Sequence, residues 1–137
     1  MDTLSQAQRS ERMSLIRHKS TKPEVLVRKI LRDFGYKYRT NVKALPGKPD
    51  LVFPVQRKII FVHGCFWHRH PDCVLARLPK SKLEFWLPKL THNRLRDLRN
   101  IARLRRAKWG VQVIWECQLR DPNRLKSRIR KFLQIRV

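Results

Sequence analysis

The hydrophobic and polar positions of the chain follow the two periods expected of helices and strands. In residues 20–36 the apolar positions recur every three or four residues, which predicts a helix with one buried face. That face consists of Val27, Ile30, Leu31 and Phe34. Thr21 and Glu24 have the spacing of a capping box at the start of this helix, and Gly35 would end it.

Four shorter apolar runs predict β-strands. The segment "YKYRTNV" at 36–42 alternates weakly, as an outer strand does. The runs "DLVF" at 50–53 and "KIIFVH" at 58–63 are separated by a turn at "PVQR". The run "VQVIWEC" at 111–117 is almost continuously apolar, which predicts a central strand.

A second helical region lies between the third and fourth strands. Ser81 and Glu84 repeat the spacing of the cap, and Pro88 is expected to interrupt the helix that follows. The segment "THNRLRDLRNIARLRRAKWG" at 91–110 then predicts a long basic helix. Its inward face is predicted to be Leu95, Leu98, Ile101 and Leu104.

The segment "DPNRLKSRIRKFLQ" at 121–134 predicts the last helix. Asp121 would cap it and Pro122 would take its first position. Its buried face is predicted to be Leu125, Ile129 and Phe132. The resulting order, αβββαβα, favours an α/β fold in which a mixed sheet is flanked by helices.

The length of 137 residues predicts one domain, residues 1–137, with a hydrophobic core of its own. Within it, residues 1–20 are polar and basic and predict a short helix or an arm that includes Met13.

The charge balance indicates the kind of partner. There are 33 Lys and Arg residues against 10 Asp and Glu residues, a net charge of +23. Such an excess repels itself in a compact chain unless a polyanion compensates it, so nucleic acid is the expected partner. A membrane surface is the alternative, but it would favour one basic amphipathic helix, whereas these cations are spread along the chain. With neither a leader nor a transmembrane segment predicted, we expect a cytoplasmic protein associated with the nucleoid.

The cysteines and histidines near the middle of the chain predict a metal site. Three cysteines are too few for a disulfide scaffold. Cys65, His70 and Cys73 follow the pattern C-x4-H-x2-C, and Cys117 is predicted to end the last strand. Four ligands of this kind suit a structural, tetrahedral Zn²⁺. The alternative is that the thiols are small buried hydrophobic groups and His70 is a surface residue.

Asp50 is a candidate for a second metal, because it follows "PGKP" and opens a strand. A carboxylate held there could bind Mg²⁺, a cation that prefers oxygen ligands. A backbone carbonyl at Val62 or His63, where the neighbouring strand ends, could supply a second oxygen. The alternative is an ordinary turn aspartate.

The two other acidic candidates have simpler interpretations available. Glu24 could serve only as the capping-box residue. Asp97 lies among arginines on a helix, where a solvated ion pair with Arg94 or Arg96 would account for it.

Several strings taken together resemble one family. They are "RSERMSLIRHKSTKPE", "LPGKPDLVF", "IIFVHGCFWHRHPDC", "EFWLPKL" and "VIWEC", and they cover essentially residues 9–120. Their order and separations resemble those of the very-short-patch repair (Vsr) DNA mismatch endonucleases of bacteria. The resemblance implies a restriction-endonuclease-like core of the PD-(D/E)XK kind. It also implies an enzyme that nicks double-stranded DNA on the 5′ side of the thymine in a T·G mismatch, the product of 5-methylcytosine deamination.

The same resemblance implies roles for individual residues. Asp50 and the Val62 carbonyl would bind Mg²⁺, and His68 would be the general base. His63 and Asp97 would be accessory catalytic groups, with Glu24 near the water around the magnesium ion. The structural Zn²⁺ would be held by Cys65, His70, Cys73 and Cys117.

The family's contacts with DNA can be carried over in the same way. Phe66, Trp67 and Trp86 would enter the duplex beside the mismatch from the major groove, and the segment around Met13 would grip the minor groove. The resemblance further implies a monomer, with mismatch-repair proteins as candidate partners. Two features depart from the family's best-known member: Arg69 replaces a common histidine, and one additional residue separates His70 from Cys73.

Two other functions are compatible with the same residues. One is a zinc-stabilised protein that bends DNA without cleaving it, which would need neither Asp50 nor His68. The other is a nuclease of the same core with a restriction or mobile-element role, in which the aromatic residues pack rather than recognise a mismatch.

Overall fold

The computed structural model describes residues 22–134, so Met13 and Thr21 lie outside the described residues. The helices and strands are α1 (Lys22–Arg32), β1 (Arg39–Thr40), β2 (Leu51–Phe53), β3 (Lys58–His63), α2 (Leu83–Arg106), β4 (Gly110–Trp115) and α3 (Pro122–Gln134). Short 3-10 turns lie at Val74–Ala76 and Glu116–Arg120. Within residues 22–134, no helix combines the length and the apolar character needed to cross a bilayer.

The four strands form one mixed sheet in the order β1-β2-β3-β4. The first three strands are antiparallel neighbours, whereas β3 and β4 run parallel and are in register from Lys58 opposite Gly110 to His63 opposite Trp115. The prediction of a mixed α/β fold is therefore confirmed.

The prediction that the strand near the C-terminus is central was wrong. In the described part of the chain β4 pairs with β3 alone and forms an edge of the sheet. Its sequence resembles that of a central strand because both of its faces are covered: Val111 packs in the core beside α2, and Ile114 packs in the core beside α1 and α3. Burial on two faces, rather than pairing on two sides, makes the run apolar.

Each face of the sheet carries its own hydrophobic core. On one face, strand residues pack against α1 and α3, and the buried set is Val27, Leu31, Leu51, Phe53, Ile60, Ile114, Leu125, Ile129 and Leu133. On the other face the sheet packs against α2, and the buried set is Val52, Ile59, Phe61, Ile101, Leu104 and Val111. Because strand side chains alternate between faces, His63 and Trp115 continue the face that α2 covers.

Helix α2 differs from its prediction at its start. It begins after Lys82, which has a left-handed backbone (φ 57°) and forms no side-chain cap, so the predicted cap at Ser81 was wrong. The predicted interruption at Pro88 was also wrong, because Pro88 lies inside the helix. Pro88 is the sixth residue of the helix, so its missing N–H affects only the short first part, and the longer part after it forms without interruption.

The inward face of α2 was predicted only in part. Ile101 and Leu104 are buried as expected, together with Leu90. Leu95 and Leu98, however, are 54% and 49% exposed. Counted back from Leu104 and Ile101 in steps of three and four residues, the inward side of α2 reaches Asp97. It therefore passes between Leu95 and Leu98, which point away from the sheet.

Helix α3 begins as predicted. The Asp121 Oδ1 atom accepts a hydrogen bond from the backbone N–H of Arg124 at 3.2 Å, as a cap does. Its buried residues are Leu125, Ile129 and Leu133, whereas the predicted Phe132 is only partly buried against the same core.

Candidate active site and metal cluster

The candidate residues gather at one end of the sheet. Strands β3 and β4 end there at His63 and Trp115. Because β2 is antiparallel to β3, its first residue lies at this end too, directly after Asp50. The loop that leaves β3 and the turn that leaves β4 therefore start side by side.

The Asp50 carboxylate contacts the neighbouring strand. Its Oδ2 atom accepts a hydrogen bond from the backbone N–H of Val62 at 2.7 Å. Burial raises the pKa of Asp50 from 3.8 to about 6; the charge of Glu24 contributes in the same direction, and the Val62 hydrogen bond opposes both. A buried carboxylate beside another carboxylate gains from a cation, so the oxygen donors at this position fit a hard divalent ion.

Glu24 is brought to the same region by the first turn of α1. It is 3% exposed, and Arg28 Nη2 lies 3.4 Å from its Oε1 atom. Its effect on Asp50 shows that a second carboxylate stands near the first. The capping-box prediction involves Thr21 and lies outside the described residues.

His68 and Asp97 form a hydrogen-bonded dyad. His68 Nδ1 lies 2.5 Å from Asp97 Oδ2, and the His68 ring stacks on His63 at 3.9 Å with an interplanar angle of 6°. Burial, with the charge of His68, lowers the pKa of His63 to about 3. His63 therefore stays neutral beside its neighbour. With Nδ1 protonated and donating to Asp97, the Nε2 atom of His68 is free to accept a proton.

Asp97 does not pair with Arg94 or Arg96, which was the simpler interpretation of its place in the sequence. Arg94 Nη1 donates to the backbone carbonyl of Arg69 at 3.3 Å, and Arg96 Nη2 donates to Asn93 Oδ1 at 3.3 Å. Asp97 turns toward His68 instead.

The ligand atoms of His63, His68 and Asp97 also lie within 4.8 Å of one another, a spacing that a metal ion could use. Parallel, stacked imidazole rings do not direct their nitrogen lone pairs to one centre, and Asp97 already accepts a hydrogen bond from His68. The arrangement suits proton transfer better than metal binding.

The four predicted zinc ligands converge. The ligand atoms of Cys65, His70, Cys73 and Cys117 all lie within 4.8 Å of one another, and Cys117 Sγ is 3.5 Å from His70 Nδ1. Cys117 lies in the 3-10 turn after β4 rather than in the strand itself. Burial raises the pKa of the Cys65 thiol to about 12, so a nearby cation would favour its ionised form. Three thiols and one imidazole nitrogen are a donor set that fits zinc.

The additional residue between His70 and Cys73 does not separate these ligands. Arg69 and Asp72 have positive φ angles of 54° and 53°, so the loop changes direction on both sides of His70. Arg69 Nη1 donates to the Ala76 carbonyl at 2.9 Å, which closes the loop.

The three predicted wedge residues form one aromatic group at the start of α2. Phe66 lies 5.2 Å from Trp67 and 5.5 Å from Trp86, and Trp67 lies 5.8 Å from Trp86, between ring centroids. Phe85 joins this group through Trp86 at 5.1 Å and is 58% exposed. Phe66, Trp67 and Trp86 are partly buried, so the group as a whole presents a partly exposed aromatic surface that is suited to an interaction.

Several contacts of this surface were not predicted. Lys89 Nζ lies 6.0 Å from the Trp67 ring centroid and 5.6 Å from that of Phe85, and Asn93 Nδ2 donates to the Trp67 carbonyl at 3.3 Å. Lys89 and Asn93 follow Phe85 by four and eight residues, so the helical period could have indicated their shared face.

Trp115 is a further residue for which no role was predicted. Its ring stacks on His70 at 4.1 Å and meets His63 edge-on at 5.3 Å. Its position two residues before Cys117 is the signal in the sequence that could have placed it near the metal ligands.

Comparisons with known proteins agree with this geometry. Residues 1–75 match the family model described as DNA mismatch endonuclease Vsr. The chain is 47% identical over 132 residues to a type II nicking enzyme, V.XorIIP, of Xanthomonas oryzae, with 96% of each chain covered. It is 40% identical over 124 residues to the DNA mismatch endonuclease Vsr of Escherichia coli, covering 90% of this chain and 79% of that one. The chain belongs to the Vsr family.

Membership of the Vsr family makes this chain a DNA endonuclease and confirms the resemblance found in its sequence. A further member, the type II nicking enzyme V.NmeAIP of Neisseria meningitidis, is 41% identical over 133 residues, with 97% of this chain and 94% of the relative covered. The similarity thus extends over nearly the whole chain, including the aromatic group and the last helix.

Proposed function

We propose that this Vsr-family endonuclease nicks duplex DNA on the 5′ side of the thymine in a T·G mismatch by Mg²⁺-dependent hydrolysis. The observation that carries the proposal is the His68–Asp97 dyad, stacked on His63 at the end of the sheet where Asp50 begins its strand. A general base and an oxygen ligand for a divalent cation are what phosphodiester hydrolysis requires.

His68 acts as the general base. Asp97 accepts the Nδ1–H hydrogen bond, which holds the ring and stabilises the imidazolium that forms when Nε2 takes a proton from water. His63 remains neutral and supports the ring of His68 from one side.

Asp50 and the backbone carbonyl of Val62 would hold the magnesium ion. When bound, the ion neutralises charge that develops on the phosphate. The buried Asp50 carboxylate supports this assignment, because a cation bound beside it would offset the cost that burial and the nearby charge of Glu24 place on its ionised form.

Cys65, His70, Cys73 and Cys117 would hold a structural zinc ion, which links the loop after β3 to the turn after β4. The loop also carries the wedge residues Phe66 and Trp67 and the base His68. A metal ion bound where this loop leaves β3 would therefore restrict the motion of all three residues.

The aromatic group supports recognition of a mismatch. Side chains that enter the stack kink a duplex at least cost where pairing is already weak, which a T·G pair provides. Phe66, Trp67 and Trp86 would enter from the major groove, with the segment around Met13 in the minor groove. We propose that residues 1–137 work as a monomeric domain on DNA in the cytoplasm, with mismatch-repair proteins as candidate partners.

The test is a nicking assay on two duplexes that differ only in one T·G pair. Wild-type protein with Mg²⁺ should nick the mismatched duplex, and Asp50→Ala should bind it about as well but fail to nick it. Asp33→Ala is the matched control, because Asp33 is 70% exposed and far along the chain from the dyad. If Asp50→Ala stayed folded and nicked with Mg²⁺ at the rate of the control, the assignment of the active site would be wrong.

The same assay addresses the other functions. Equal nicking of matched and mismatched duplexes would favour a related nuclease with a restriction or mobile-element role. A protein that only bends DNA is disfavoured by membership of an endonuclease family and by the dyad, which bending does not need.

A further inference from the structure

An unbroken run of ring contacts connects the four-ligand cluster with the catalytic dyad. His70, a member of the cluster, stacks on Trp115 at 4.1 Å with an interplanar angle of 11°. Trp115 meets the edge of His63 at 5.3 Å and 75°. His63 in turn stacks on His68 at 3.9 Å and 6°. Each ring between the two sites thus touches the next one.

The backbone holds Trp115 at the junction of the two sites. Trp115 is the last residue of β4 and lies in register opposite His63 of β3. The backbone N–H of Trp115 donates to Gln118 Oε1 at 2.9 Å, a bond that closes the turn containing Cys117. The strand therefore aligns Trp115 with one histidine, and the turn ties it to a cluster ligand.

Packing into a hydrophobic core does not account for these contacts. Trp115 belongs to neither hydrophobic core, and its ring partners among residues 22–134 are two histidines. Trp109, in contrast, packs against the core beside α2 and lies beneath the Arg57 guanidinium at 4.1 Å. The two tryptophans thus lie at opposite ends of β4, one directly before it and one at its last residue, in different surroundings.

We propose that Trp115 is a positioning residue that couples the Cys/His cluster to the catalytic histidines, so that ordering of His70 orders His63 and His68 through one indole ring. The inference rests on the proposed roles of His68 and of the cluster. A metal-bound His70 would restrict the indole ring of Trp115 on one side. The restricted indole would in turn limit the orientations of His63 on its other side. Because coupling between two sites is reciprocal, metal binding at His70 should favour the placement of His68 and the placement of His68 should favour metal binding, so loss of the connecting ring should weaken both.

The test compares Trp115→Leu, Trp115→Phe and the matched control Trp109→Leu in the full chain. Two quantities are measured for each: the affinity for Zn²⁺ alone, by competition with a chromophoric chelator, and the single-turnover nicking rate on saturating T·G duplex. Duplex affinity is measured separately, because a positioning residue should change the rate and leave the dissociation constant unchanged.

We expect Trp115→Leu to lower both zinc affinity and nicking rate by about two- to tenfold, the range expected when an aromatic pair is lost. Trp115→Phe keeps a ring and should restore most of both. Trp109→Leu should reduce thermal stability and leave both quantities unchanged. If Trp115→Leu does not fold, the test uses Trp115→Phe, in which zinc affinity and nicking rate should both fall by a smaller factor.

The inference is overturned if both quantities stay at the level of the control, or if only one of them falls. Its failure can be told apart from failure of the proposed function. A wild-type protein that binds zinc but never nicks T·G duplex refutes the function. A wild-type protein that nicks normally while Trp115→Leu matches Trp109→Leu refutes only the coupling.

Discussion

In the absence of a bound cation, the ionised Asp50 carboxylate should lower the free energy of unfolding of the protein. Burial and the charge of Glu24 raise its pKa from 3.8 to about 6. Raising a pKa by one corresponds to about 1.4 kcal/mol, so ionised Asp50 should cost the folded state about 3 kcal/mol. Because the folded pKa lies above the unfolded one, this cost is absent below pH 3.8, grows as pH rises to about 6, and is constant above that.

Replacing Asp50 with asparagine removes the charge and keeps an oxygen that can accept the Val62 hydrogen bond. In magnesium-free buffer at pH 7, urea denaturation of Asp50→Asn should therefore give a free energy of unfolding about 2–3 kcal/mol above that of wild type. The difference should shrink as pH falls toward the usual pKa of the carboxyl. Added Mg²⁺ should stabilise wild type and narrow the gap, because a ligand that binds only the folded state raises its stability.

Asp33→Asn provides the control for this measurement. It makes the same change of charge at a side chain that is 70% exposed and 3.8 Å from Lys126 Nζ, where an effect within about 0.5 kcal/mol is expected. If Asp50→Asn is less stable than wild type at pH 7, or if Mg²⁺ stabilises both variants equally, then Asp50 is an ordinary turn residue and the proposed cation site is wrong.

Three further predictions concern the dyad, the cluster and the aromatic group. Asp97→Asn should lower the single-turnover nicking rate by about 10–100-fold with duplex affinity unchanged, since a hydrogen bond to a charged group contributes about 1.5–3 kcal/mol; an unaltered rate would show that His68 acts alone. Cys117→Ala should lose the zinc that wild type carries and melt at a lower temperature, because structural zinc binding contributes about 10–16 kcal/mol; a metal-free wild type with the same melting temperature would remove the site. Trp67→Ala should lose about 1–3 kcal/mol of preference for the mismatch and keep its salt dependence, whereas equal loss on matched duplex would make Trp67 a packing residue.

The helices and strands were predictable because their signals are local. The buried residues Val27 and Leu31 of α1 follow the helical period, and the cap at Asp121 is set by the residues beside it. The errors occurred where a distant part of the chain decides the outcome. The pairing of β4 depends on the absence of another described strand beside it, and the exposure of Leu95 depends on which side of α2 meets the sheet.

The site could be predicted where the spacing of residues along the sequence limits the chemistry that they can perform together. The pattern from Cys65 to Cys73 indicated a metal cluster, and its ligand atoms do converge. The partner of Asp97 could not be derived from its neighbours, since local physics favours an arginine and the fold supplies His68, 29 residues away. The family resemblance assigned the two residues to one site, whereas their hydrogen bond is a property of the folded chain.

In the proposed function, the loop between β3 and α2 would need both a bound metal and contacts with α2 to keep its shape. Its regular structure is limited to a 3-10 turn at Val74–Ala76, and ordering such a segment costs about 1–2 kcal/mol per residue. Hydrogen bonds from Asn93 and Arg94 of α2 to the backbone at Trp67 and Arg69 recover part of this cost. The same helix contributes Trp86 and Asp97, so the partners of Trp67 and of His68 are carried by one rigid element. In the proposed function, loop and helix together would have to keep their shape while a duplex is bent, and a metal held by the Cys/His cluster would join them to the sheet.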